Sequence, residues 1–68
     1  MKEKLTGYLK MIGKNQGELA KILDIQENTL SFKINGKKDF KMSEMIAITK
    51  LIKTKLPNVT MDEIFFKQ

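Results

Sequence analysis

The chain has no cysteine, no histidine and only one proline, and none of its thirteen basic residues is arginine. Without cysteine, neither a disulfide nor a thiolate metal site is available to hold the fold together. Without histidine, the commonest general base and the commonest metal ligand are both missing. The carboxylates are spread over short segments, and no nucleophile–base pair or ligand set stands out. No catalytic residue, cofactor, metal or small-molecule ligand is therefore expected. No apolar run approaches the roughly 18 residues of a membrane helix, and no signal-like stretch opens the sequence. A cytoplasmic location without a membrane partner is the expectation. A length of 68 residues suits one small domain, 1–68, with a modest core.

What the sequence does contain is lysine and helical patterning. Thirteen lysines against eight acidic residues leave a formal charge of +5. That balance suits a polyanionic partner, and it equally suits plain solubility.

The stretch 15–36, NQGELAKILDIQENTLSFKING, organises the rest. Asn15 is placed to cap a helix, with Glu18 three residues on completing a capping box. Leu19, Ala20 and Leu23 give that helix an apolar face. Asp24-Ile25 reads as a tight turn, with Asp among the few non-glycine residues that tolerate positive φ. A second short helix follows, with Leu30 and Ile34 on one side, and Asn35-Gly36 ends it. Two short helices this close must cross sharply, and the small Ala20 lets their backbones approach. Such a pair is the geometry of the helix-turn-helix, whose second helix enters the DNA major groove.

The flanking segments complete an all-α bundle of about five short helices. Leu5, Tyr8, Leu9 and Ile12 form one stripe on a first helix from Lys2 to about Met11, ended by Gly13. Met45, Ile48 and Ile52 form the core stripe of a fourth helix, about Met42 to Lys53. Ile46, Ala47 and Leu51 broaden that stripe and imply a second contact surface. Residues 53–59 form the last loop, where Pro57 excludes continuation of the helix. Thr60 and Glu63 make a capping box for a final helix, Met61 to about Phe66. Ile64, Phe65 and Phe66 cannot all face inward, so a leftover Phe with Ile46 is a candidate dimer patch.

At Gln16, Ala20, Ile25, Leu30 and the run Lys33-Ile34-Asn35-Gly36-Lys37, the chain resembles the Cro and phage-repressor branch of helix-turn-helix proteins, the XRE family. It departs from the family at Asp24, where many members have Gly, and at Lys41, where a capping Thr is common. The resemblance implies a lambda-repressor-like domain and a small prophage-type regulator that represses by occupying a double-stranded DNA operator. It also implies a homodimer, here through helix 4 and the C-terminal segment (Ile46, Phe65, Phe66). By the same resemblance, Glu27, Asn28 and Phe32 fall at the main base-reading positions, with Gln26, Thr29 and Ser31 at their margins. Gln16 falls at a phosphate-contacting position, and helix N-termini do present free N–H groups to anions. Asn35, Lys37, Lys38 and Lys41 are the remaining phosphate candidates, on the loop after the second helix.

The side chains carry suitable chemistry. Asn28 can pair with adenine N6 and N7, Glu27 can accept from cytosine N4, and Phe32 can pack on a thymine methyl. The commonest specific contact, arginine on guanine, is unavailable to a chain without arginine. Blander readings stand beside these. Glu27 also complements a positive helix end, Asn28 also suits an ordinary surface, and Phe32 is also able to fold back over its neighbours. A different class of function stays open as well: an antirepressor or antitoxin-like protein binder on the same scaffold. An acid and an aromatic on the outer face are what that alternative would use.

Overall fold

The computed structural model describes residues 2–66, so Met1, Lys67 and Gln68 of the expected 1–68 unit lie outside the described residues. Among the described residues the chain forms five α-helices and no strand. They are α1 (Lys2–Met11), α2 (Gln16–Leu23), α3 (Glu27–Ile34), α4 (Met42–Lys53) and α5 (Met61–Phe65). None of them is long and apolar enough to cross a membrane.

The first three helices stop in the same way. Each is followed by a residue in the left-handed region: Gly13 at φ 75°, Asp24 at φ 57° and Gly36 at φ 83°. In each case the next amide reaches back five residues. The Lys14 N–H donates to the Leu9 carbonyl, Ile25 to Ala20, and Lys37 to Phe32. The left-handed residues themselves donate three back, to Lys10, Lys21 and Lys33. This paired pattern satisfies carbonyls that a helix end leaves orphaned. It also turns the chain sharply enough that the links after α1 and α2 need few residues.

The helix starts differ from one another. Asn15 caps α2 in a full box: its side chain accepts from the Glu18 N–H at 2.8 Å, and the Glu18 carboxylate accepts from the Asn15 N–H at 3.1 Å. Thr60 and Glu63 repeat the arrangement at α5. At α3 the preceding Gln26 provides no side-chain cap. At α4, where the missing Thr implied a lost cap, half of the box is rebuilt. Glu44 accepts from the Lys41 N–H at 2.8 Å.

One apolar cluster draws on every helix. Leu5, Leu9 and Ile12 come from α1 and its end, Leu19 and Ala20 from α2, Leu30 and Ile34 from α3, Ile48 and Ile52 from α4, and Ile64 from α5. The helices pack closely as α2 on α3, α4 on α5, α1 on α5 and α2 on α4. A radius of gyration of 10.8 Å agrees with the roughly 11 Å expected of a folded chain this long. Met45, expected in the α4 stripe, is only half-buried, and Thr49 is buried instead. The Thr49 hydroxyl donates to the Met45 carbonyl one turn back at 2.8 Å, so its burial leaves no polar atom unmatched.

The two C-terminal aromatics part company. Phe65 packs against the core and meets Phe40 edge-to-face, with centroids 5.4 Å apart. It is only half-buried there. Phe66 stays exposed, as do Ile46 and Met42.

Candidate nucleic-acid interface

α3 is two-faced. Leu30, Lys33 and Ile34 are buried, whereas Glu27, Asn28 and Phe32 are exposed, as is Gln26 just before the helix. At 100° per residue Asn28 and Phe32, one turn apart, lie together on the side away from Leu30 and Ile34. Phe32 retains 45 % of its accessible surface. It does not fold back over its neighbours into shelter. Thr29 and Ser31 are half-buried at the margins, and the Ser31 hydroxyl accepts from Asn35 Nδ2 at 3.3 Å.

Glu27 sits apart from that pair. On the helical wheel it lies near Ile34, on the flank turned toward α2. Its Oε1 lies 3.4 Å from where a side chain on Gly17 would begin. The Glu27 carboxylate thus lies beside the first turn of α2, where the partial positive charge of the helix favours an acid. Gln16 opens that same turn and is half-buried.

The loop after α3 is basic and exposed at Asn35, Lys37 and Lys38, and Lys41 is exposed at its far end. Among the described residues the Lys37 and Lys38 side chains meet no hydrogen-bond or ion-pair partner. The loop is nonetheless tied to α3 through its backbone. The Lys37 and Lys38 amides both donate to the Phe32 carbonyl, at 2.8 and 3.3 Å. Two uncommitted ammonium groups are thus attached to the last turn of the helix that carries Asn28 and Phe32.

Lys33 is the exception among the lysines, and sequence reasoning missed its role. Its ammonium is buried against Glu44 of α4, donating to both carboxylate oxygens at 2.7 Å. Burial pushes the Glu44 carboxyl up. The Lys33 hydrogen bond, the Lys41 amide and the charges of both lysines outweigh it and hold the group below the ordinary value of 4.5. A signal for the pair was present in the sequence. Lys33 lies three residues after Leu30 on the inner side of α3, and Glu44 falls four before Ile48 and eight before Ile52 on the inner stripe of α4.

Among the described residues no three acidic, histidine or cysteine side chains gather to hold a metal. Comparison of the chain with protein-family models, with curated proteins and with solved structures finds no match.

Proposed function

We propose that the chain is a sequence-specific double-stranded DNA-binding protein, with α2, the Asp24 turn and α3 acting as a helix-turn-helix of the Cro and phage-repressor kind. One observation carries this reading. α3 buries Leu30, Lys33 and Ile34 and presents Asn28 and Phe32 on the other side, with Lys37 and Lys38, whose side chains have no partner among the described residues, bonded through their amides to its last turn. A base-reading helix flanked by phosphate-neutralising cations needs this division. Asn28 and Phe32 read base edges, with Gln26, Thr29 and Ser31 at the margins. Asn35, Lys37, Lys38 and Lys41 meet phosphates beyond the C-terminal end of α3, and Gln16 meets one at the start of α2. Glu27, exposed at the N-terminal end of α3, is the third base-reading residue. The protein acts as a small regulator that represses by occupying its operator. It pairs with a second copy through exposed Ile46 and Phe66 to read two half-sites about one helical turn apart.

Selection from a pool of random duplexes tests the reading. A two-fold symmetric sequence is expected, and Asn28→Ala or Phe32→Ala should relax it at single positions by about 1–3 kcal/mol each. Enrichment of a lone half-site would remove the dimer. Binding without enrichment would remove the function.

The exposure of Phe32 favours a second reading, a protein-binding module, because a solvent-facing aromatic is a common anchor at protein interfaces. In that case the outer face of α3 would take a protein partner, and DNA binding would be weak and indifferent to sequence.

A further inference from the structure

The loop that carries the phosphate candidates, residues 35–41, is bounded at both ends by one carboxylate. On the near side Glu44 grips the Lys33 ammonium with both oxygens at 2.7 Å. On the far side its Oε1 accepts from the Lys41 N–H at 2.8 Å. α3 packs closely on α2, and this buried pair ties it directly to α4 across the loop. Lys33 also stands next to Phe32 in the chain, and the Phe32 carbonyl holds the Lys37 and Lys38 amides. Glu44, α3 and the backbone of the loop lysines are thus joined by one continuous set of hydrogen bonds and chain links.

We infer that Glu44 is a positioning residue for DNA binding: by clamping Lys33 and the Lys41 amide it sets the register between the loop lysines and the outward face of α3. The inference rests on the DNA-binding reading above. Phosphate contacts fix where a protein sits on a duplex, and base contacts then discriminate among sequences. With the loop held in one place, the lysines engage phosphates only when Asn28 and Phe32 meet the correct bases. With the loop released, the lysines still neutralise phosphates, but in many registers. Glu44 thus contributes to specificity without touching DNA, and its loss separates specific from non-specific affinity.

The pair Lys33→Met/Glu44→Leu isolates this role. It removes one positive and one negative charge, leaving the formal +5 unchanged, and apolar replacements of a buried ion pair usually fold. Affinity is measured for the duplex enriched by the unaltered protein and for a scrambled duplex of equal length, with a melting curve for each protein. The ratio of the two affinities is expected to fall by about tenfold, with the scrambled affinity within about twofold of its original value. Lys33→Met/Glu44→Gln keeps an acceptor for the Lys41 amide and should lose less of the ratio. It also serves as the test variant if the leucine form does not fold. An undiminished ratio, or an equal fall in both affinities, would overturn the role of Glu44 while leaving DNA binding intact. An unaltered protein that prefers no duplex would overturn the DNA reading and this role with it.

Discussion

Lys33 and Lys38 are the same residue five positions apart, and the fold uses them in opposite ways. Lys33 lies on the inner side of α3 with its ammonium enclosed by Glu44, whereas Lys38 projects from the following loop without a partner among the described residues. The difference comes from helical phase. Lys33 is three residues after Leu30 and adjacent to Ile34, so the helix that buries those two carries it inward. Once past Gly36 that constraint ends, and the loop lysines meet water. A count of lysines alone therefore overstates the cations a polyanion would meet, because one of the thirteen is paired inside the protein, while the formal +5 is unaffected by a pair that sums to zero.

The contrast can be broken most forcefully at Lys33. Lys33→Met leaves the Glu44 carboxylate buried without its cation, and losses of about 3–5 kcal/mol are typical of such sites. Denaturant unfolding should show a loss of that order, a large fraction of the stability of a domain this small. A loss below about 1 kcal/mol would mean that the pair is exposed to water in solution.

Acid offers a gentler route to the same place. The Glu44 carboxyl titrates lower in the folded protein than its ordinary value of 4.5, so folding favours the ionised form. That contribution is complete above about pH 4.5 and disappears as the pH falls through the lower folded value. The melting temperature should drop across this acid window, and drop less in Lys33→Met/Glu44→Leu. Parallel acid profiles for the two proteins would assign the loss to other carboxylates.

The smallest effect on stability belongs to the loop. Lys37→Ala and Lys38→Ala should each change unfolding free energy by less than about 0.5 kcal/mol. Each should nevertheless weaken binding to all duplexes alike and lower the slope of log affinity against log salt by about one. An unchanged slope in both variants would remove the loop from the DNA contact.

The parts of the fold that were legible in the sequence are those governed by near neighbours. The Asn15–Glu18 and Thr60–Glu63 boxes span three residues, and the helix stops at Gly13, Asp24 and Gly36 depend on backbone freedom at single positions. These interactions close within one turn, so spacing alone identifies them. The sequence was a poorer guide where a side chain had to choose among distant partners. Phe65 and Phe66 are adjacent and chemically identical, and which of them meets Phe40 and the core depends on how the bundle packs. Lys33 and Glu44 are eleven residues apart, joined through space across a loop. The outward face of α3 followed from its phase, so Asn28 and Phe32 were legible there. The seat of Glu27 beside Gly17 was not, because it depends on how α2 and α3 cross.

The most direct test of the DNA reading is to follow every backbone amide of the isotope-labelled protein by NMR while adding the duplex recovered by selection. Large shifts are predicted at residues 26–32, at 35–38 and at Gln16, with the interior near Ile48 and Ile52 little changed. Shifts concentrated instead around Met42, Ile46 and Phe66, with α3 unmoved, would contradict the assignment of α3 and its loop as the DNA-binding face.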